Sequence, residues 1–477
     1  MQSVIEKIHN IEILIAAGKL SDALAEIRDH VERVITEPIC VGQVFASYEL
    51  DLLCQKIGTI NLAGLSSPLD ELVFEECQLE TVVYLVSKLQ RTGGHSRLVQ
   101  DFIVAQPQKR HIVISTEIGG PSDKEYFKKI IDNIKNLSIQ YVPNGSLIEK
   151  LSWIQLVLLK IRPKHTYLFN HHQDSVAVSA LVPDLGMDAS FCHHGDHHLC
   201  LGVCINHLTH IDFHPMGYHY CRDQLGLNNN YIPLTFEDKS RLVKLRNNEN
   251  LLTATAAGFN KVEIPYCVNY LKLIPKILKE TNGKHLHIGK LTPWGLWILY
   301  SEMRKLGVSR DNFIYIEWTT SVWEKLKEYN VDAYLVSFPY GAGLTLIEAM
   351  GAGLPVVLHQ HFYSRVLSSL ELAYPDAFVW STPDELIDHL KGLTPKQMSV
   401  ESDMARCQYE KYHRSDFLKE YLNSSNKPQI DVPSLSRKFK PRLDEWAVWV
   451  DNQFKFSNIV FRIIYRLARK IRRYALL

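Results

Sequence analysis

The distribution of apolar residues predicts an α/β protein built from two doubly wound units in tandem, each a parallel sheet covered by helices on both faces. Three observations carry this. Short apolar runs recur from about residue 80, amphipathic stretches separate them, and the same alternation starts afresh near Leu251. At 477 residues the chain is long enough for two or three domains.

Residues 1–75 read as helices ahead of the first sheet. Ile5, Ile8, Ile11, Leu14 and Ile15 recur at helical spacing, Gly18 breaks the run, and Leu24, Ile27, Val31 and Val34 carry a second helix. One hairpin of this kind, tetratricopeptide-like around Gly18, is too short for a repeat array and is read as a helical cap. Residues 76–240 form the first α/β domain, with strands expected at 81–85, 111–115, 167–170, 189–192 and 210–213. Residues 241–425 form the second, with strands at 251–256, 285–288, 313–317, 333–336 and 355–358. Residues 426–477 are read as a linker, polar with three prolines between 423 and 441, followed by a helical tail.

Composition excludes several classes. Hydrophobic residues are 46% and charged residues 22% of the chain, ordinary globular proportions, and a net charge of +1 offers no general attraction for nucleic acid. The nine cysteines are scattered, with no C-x-x-C pair, so neither a cysteine zinc site nor a disulfide framework is expected, and no metal or cofactor is assigned. The N-terminus has no apolar signal region, and no run reaches the roughly 18–20 apolar residues that cross a bilayer. A cytoplasmic protein with reduced thiols is the expectation.

The most informative segment is 339–357. It follows an apolar strand and opens a helix near Leu344. Gly341 and Gly343 permit close backbone approach, and the helix N-terminus presents free N–H groups at a positive dipole end, together suiting a diphosphate. Glu348, one turn into that helix, is an acceptor suited to the hydroxyls of a ribose. Upstream, Lys261 follows the first strand of the second domain and can neutralise a phosphate. The bland alternatives are a βαβ turn whose glycines serve packing and a solvated loop lysine.

This run resembles the donor-binding signature of GT-B glycosyltransferases, particularly those with a Glu-x7-Glu motif, over roughly residues 250–420. The resemblance implies two Rossmann-like domains facing a cleft, and a nucleotide-diphosphate sugar held by the second. Glu348 matches the second glutamate, on the ribose. Gly341, Gly343 and Thr345 match the loop around phosphates and sugar. The first glutamate is replaced by Tyr340, so the stereochemical class is left open. No arginine lies between Leu251 and Lys261, so Lys261 stands alone as the cation there. Residues 90–97, with Gly93, Gly94, His95 and Arg97, are similar to the glycine-rich first loop of GT-B acceptor domains, although an ordinary strand-to-helix turn fits them equally.

Histidines cluster at the C-terminal ends of two predicted strands, at 171–172 and at 193–198, with His207, His210, His214 and His219 following. Ligands of open α/β sheets bind beyond those strand ends. The second cluster resembles the loop that GT-B enzymes place against the transferred sugar. Asp196 is therefore the candidate general base, with His194 and His193 as candidates for proton transfer or sugar binding. A zinc or manganese site is the competing functional reading, and hydrogen-bonded packing the structural one.

The tail carries Lys455, Arg462, Arg466, Arg469, Lys470, Arg472 and Arg473 and no acidic residue between them, with Val460, Ile463, Ile464, Leu467 and Ile471 on the other helical face. Such a helix suits an anionic membrane surface, though packing against the first domain would use the same apolar stripe. The reading is thus a glycosyltransferase acting on a cell-surface polysaccharide or lipid-linked acceptor. A protein-glycosylating transferase, a sugar-nucleotide epimerase of the same fold and an inactive partner subunit stay open as alternatives.

Overall fold

The computed structural model describes residues 4–37, 40–65, 78–91, 94–131, 133–242, 250–424, 428, 430–453, 459–460, 463 and 467. The chain divides into two compact units. The first comprises 1–232, 419–428 and 455–477, and the second 233–418 and 429–454.

In the first unit, helices α1 (Val4–Ala16), α2 (Leu20–Ile35) and α3 (Tyr48–Gly64) precede the sheet. The alternation then runs β1 (Thr81–Val86), α4 (Gly94–Ala105), β2 (Arg110–Ser115), α5 (Lys124–Ile131), β3 (Leu137–Tyr141), α6 (Leu147–Ile161), β4 (His165–Phe169), α7 (Ser175–Ala180), β5 (Ala189–His193), β6 (Thr209–Asp212), α8 (Pro215–Asp223) and β7 (Asn229–Tyr231). All seven strands pair in parallel in the order β3-β2-β1-β4-β5-β6-β7. The chain therefore reverses its direction of growth between β1 and β4, and the loops leaving those two strands diverge there.

The N-terminal helices are part of this core. Ile11 and Ile15 of α1, Leu24, Ile27 and Val31 of α2, and Leu53, Cys54 and Ile57 of α3 are buried in one cluster with Val83 and Leu85 of β1 and Ile154 and Leu158 of α6. Gly18, in the left-handed region at φ +72°, makes the turn between α1 and α2. Two polar links fix α3. Asp51 accepts from the backbone N–H of Gly202 at 2.6 Å and of Cys204 at 2.8 Å. Gln155 of α6 donates to Gly58 O at 3.0 Å. Burial nevertheless holds the Asp51 carboxyl up at about 7.

The second unit contains β8 (Leu252–Ala256), α9 (Phe259–Val262), α10 (Tyr270–Thr281), β9 (Lys284–Ile288), α11 (Pro293–Lys305), β10 (Phe313–Ile316), α12 (Val322–Glu328), β11 (Ala333–Leu335), α13 (Leu344–Gly351), β12 (Val356–His359), β13 (Phe378–Trp380), α14 (Pro383–Gly392) and α15 (Pro395–Tyr412). Helices α16 (Ser415–Asn423) and α17 (Leu443–Gln453) follow. Its sheet is also fully parallel, in the order β10-β9-β8-β11-β12-β13. Strand alternation divides the apolar residues between two faces. Tyr334, Val336, Val356 and Leu358 pack with α12, α13 and α15, whereas Leu335 and Val357 pack with α10, α11 and α14.

The unit boundary falls eight residues before the expected position at 240/241, between Ile232 and Pro233. Phe236 is the reason. It is buried in the second core, its N–H donates to His413 O at 2.8 Å, and its carbonyl accepts from Tyr409 Oη at 2.9 Å. The end of α16 returns to the first unit, where Asn423 Nδ2 donates to Ala105 O at 2.8 Å and Gln106 Nε2 to Leu422 O at 3.2 Å.

Two glycines in α3 predict opposite effects of one substitution. A Cβ at Gly58 would lie 2.0 Å from Ser179 O, a backbone atom of α7, whereas a Cβ at Gly64 meets nothing within 4 Å. Gly58→Ala should destabilise the protein by about 1–3 kcal/mol or more through overpacking, and Gly64→Ala should be neutral or stabilise it by up to about 1 kcal/mol. Urea unfolding of both variants checks the pair.

Candidate functional site

In the second unit the switch point lies between β8 and β11, and the phosphate-binding candidates gather there. The turn after β8 leads into α9, which carries Lys261. The turn after β11 carries Tyr340, Gly341 and Gly343 and leads into α13. The two turns are joined. Lys261 Nζ donates to Gly341 O at 2.7 Å, and Tyr340 N donates to Lys261 O at 3.4 Å.

The glycine at 341 is sterically required, since a Cβ there would lie 2.2 Å from Ser369 Oγ and 2.7 Å from Leu367 O. Its N–H donates to that same Leu367 carbonyl at 2.8 Å. Gly343 is the N-cap of α13 and makes no side-chain cap, so the N-terminal turn carries its dipole with no capping oxygen from that residue. Thr345 lies in that first turn, its hydroxyl accepting from Tyr334 Oη at 3.0 Å. Tyr334 Oη in turn accepts from Ala256 N at 3.3 Å. The sheet thus sets the orientation of the helix start. Tyr340 is half-buried, and burial pushes its phenol well above its ordinary range, so it stays neutral.

Glu348 is 6% exposed, and its Oε2 accepts from Trp323 N at 2.9 Å. The carboxylate therefore holds the N-terminus of α12, and with it the loop leaving β10, against α13. Sequence spacing pointed to the ribose role and gave no sign of this structural one, because Trp323 lies 25 residues upstream.

In the first unit the corresponding edge is organised by Asp174. Buried at the N-cap of α7, it accepts from Ser87 Oγ and Thr116 Oγ1, each at 2.6 Å, and from Ala177 N at 2.9 Å. Ser87 Oγ also accepts from His171 N at 2.7 Å. One carboxylate thus ties together the ends of β1, β2 and β4. Ser87 and Thr116 carry no signal in the sequence that would have singled them out.

Around it the imidazoles form two groups. His95, at the start of α4, donates through Nε2 to Phe169 O at 2.7 Å. Its ring lies 4.8 Å from His171 and 4.6 Å from His194. His172 lies 5.4 Å from His197 and 5.2 Å from His198. Burial first, then neighbouring imidazoles, depresses His171, His172, His194 and His198 well below their ordinary value, and burial takes His95 to about 4. These rings are neutral at pH 7, suited to hydrogen bonds with hydroxyl groups and not to countering a diphosphate charge.

Asp196 is an ionised carboxylate. Burial raises its proton affinity, but His214 and His197 outweigh that and hold it below the ordinary value. His214 Nδ1 accepts from Met216 N at 3.1 Å, so its lone pair is already used where it approaches Asp196 Oδ2 at 3.7 Å. Asp196 Oδ2 accepts no hydrogen bond among the described residues. His194 is half-buried, with Nδ1 3.2 Å from Cys192 O. His193 is only 1% exposed and faces Asp212 at 2.8 Å, which removes it from the surface. Gly94 opens α4, Gly93 lies outside the described residues, and Arg97 pairs with Asp101 along the helix at 2.9 Å.

No protein-family profile matches the sequence, and no curated protein does. The fold does have solved counterparts. Anabaena HepE, in complex with UDP-glucose, aligns with a TM-score of 0.54 at 12% identity over 72% of this chain and 98% of its own. A variant of TarM from S. aureus, in complex with UDP among other ligands, aligns at 0.51 and 10% identity over 72% and 100%. The lipopolysaccharide outer core galactosyltransferase WaaB aligns at 0.50 and 15% identity over 71% and 96%. The likeness establishes the fold as GT-B.

The depressed histidines set the acid limb of stability. The unfolded chain binds protons from about pH 6.5 downward that folded His95 refuses until about pH 4, so stability falls across that window as pH drops. His95 alone accounts for on the order of 3 kcal/mol of this loss. Asp51 acts with the opposite sign, its stability being lost as pH rises from 3.8 to about 7. The urea midpoint should be lower at pH 5 than at pH 7, and His95→Gln should lessen that drop.

Proposed function

We propose that the protein is a glycosyltransferase that takes a nucleotide-diphosphate sugar and transfers the sugar to a glycan hydroxyl. The observation that carries the reading is the junction of Lys261 with Gly341 beside the N-terminus of α13, at the switch point of the second sheet. A cation, a close backbone approach and a helix dipole together fit a diphosphate. The GT-B fold, and the UDP and UDP-glucose bound to two proteins that share it, support a uridine nucleotide donor.

The roles follow from chemistry. The acceptor oxygen forms a bond to the anomeric carbon, whose bond to the phosphate oxygen breaks. Asp196, ionised and with Oδ2 accepting no hydrogen bond among the described residues, takes the proton of the acceptor hydroxyl, and His194 orients that hydroxyl. The diphosphate leaves with increased charge, which Lys261 and the α13 N-terminus stabilise. Thr345 and Gly343 line the phosphates, and Glu348, its orientation set by Trp323 N, holds the ribose. Tyr340 supplies a neutral phenol where a second carboxylate would otherwise stand. An envelope glycan as acceptor is supported by the named activity of WaaB.

Lys261→Ala should lower turnover about 10²–10³-fold, and Asp196→Asn about 10²–10⁴-fold without loss of UDP affinity. Glu348→Gln, which keeps an acceptor for Trp323 N, should weaken UDP binding about tenfold. Radiolabelled sugar transfer and calorimetry measure these. A Lys261→Ala protein that binds UDP and turns over normally would refute the donor site.

We infer that the tail attaches the enzyme to anionic lipid. Its described residues Ile463 and Leu467 are 50% and 53% exposed, and seven cations surround them in the sequence. No described helix is long and apolar enough to cross a membrane. Each cation near such a surface contributes about 1 kcal/mol, so removal of residues 452–477 should abolish salt-sensitive sedimentation with phosphatidylserine vesicles while sparing transfer to a soluble acceptor. Loss of both would place the helix in the fold.

A further inference from the structure

Beneath the histidine loops, four residues of unlike chemistry converge. His193 ends β5. His210 and Asp212 lie on one face of β6, two residues apart, with Asp212 in register with His193. Cys221 reaches the same point from α8. Their exposures are 1%, 5%, 0% and 0%, and one ligand atom from each lies within 4.8 Å of all the others.

We propose that these four residues bind a structural zinc ion. Tetrahedral zinc holds nitrogen at about 2.0–2.1 Å and sulfur at about 2.3 Å, which sets its ligands about 3.3–3.8 Å apart. His193 Nδ1 lies 3.7 Å from Cys221 Sγ, and His210 Nε2 lies 3.3 Å from Asp212 Oδ2. His193 Nδ1 also lies 2.8 Å from Asp212 Oδ1, a hydrogen bond that ligation of the ion would replace.

The tautomer of His210 gives the independent argument. Its Nδ1 faces Val203 O at 3.3 Å, so that nitrogen carries the ring proton. Nε2 makes no hydrogen bond among the described residues, although a carboxylate oxygen of Asp212 lies 3.3 Å away. A buried ring nitrogen left without a hydrogen bond is costly, and a cation shared with the neighbouring carboxylate would satisfy it. The Val203 carbonyl then plays the orienting role usual for a metal-bound histidine, and Asn229 Nδ2, 2.6 Å from Asp212 Oδ2, orients the carboxylate. A thiolate and a carboxylate balance the charge of Zn²⁺, and the imidazole and sulfur donors disfavour magnesium, calcium and manganese. With four protein ligands and no open position the site is structural, not catalytic. It would pin α8 to β5 and β6 beneath Asp196, whose Cβ would lie 3.1 Å from a side chain at Gly217 of α8.

The full chain, purified without chelators, should contain about one equivalent of zinc by plasma mass spectrometry. Refolding from denaturant and chelator should restore native near-UV dichroism with zinc and fail to do so without it. Cobalt-loaded protein should show a sulfur-to-metal charge-transfer band, lost in Cys221→Ser while the ligand-field bands remain. That band reports Cys221 ligation whether or not other variants fold. Wild-type protein that refolds fully in chelator and takes up no zinc when refolded with it overturns the proposal. So does a charge-transfer band that survives Cys221→Ser.

Discussion

The first unit hangs on a buried carboxylate that gathers three strand ends. Asp174 receives hydroxyl hydrogen bonds from the ends of β1 and β2 and caps the helix that follows β4. Taken out of water, such a group is costly unless its lone pairs are filled. Burial raises its proton affinity against the pull of Ser87, Thr116 and Ala177. Because the filling donors come from three separate loops, the positions of all three are fixed together, including the backbone of His171 through Ser87. The histidine surface is therefore held by the backbone, and its rings need no fixed charge to keep their places.

The two sheets divide the electrostatic labour. Around β8 and β11 the means are positive: an ammonium, a helix N-terminus and closely approached amides. Around β4 and β5 they are neutral imidazoles and one ionised carboxylate, whose charge His214 and His197 maintain despite burial. The first set suits anions and the second suits hydroxyl groups. That division accords with the transfer proposed above.

Much of this was legible in the chain. The runs at β1, β2, β4, β5, β8, β9, β11 and β12 are buried on both faces, and such strands read as continuous apolar segments. β3 was missed because none of its five residues is fully buried, and β7 and β13 because three residues hold no pattern. The glycine run at 341–353 was legible because its backbone demands are local. The Glu348–Trp323 contact, the Asp174 network and the His193–Cys221 group were not, because each partner comes from a distant strand or helix. The domain boundary was misplaced because Phe236, ahead of the polar run 237–241, already belongs to the second core. Most of the basic tail lies outside the described residues.

Asp51 has a consequence for biosynthesis. The amides it holds belong to Gly202 and Cys204, separated from it by 151 and 153 residues. At about 5–20 residues per second, helix α3 leaves the ribosome roughly 8–30 s before those partners exist. Its neighbour α2 waits nearly as long for helices α6 and α7, which pack against it. During that interval a greasy helical hairpin, complete in itself but with nothing to lie against, is the most exposed part of the nascent chain. The N-terminal helices are thus the region where a trigger-type chaperone has most to protect.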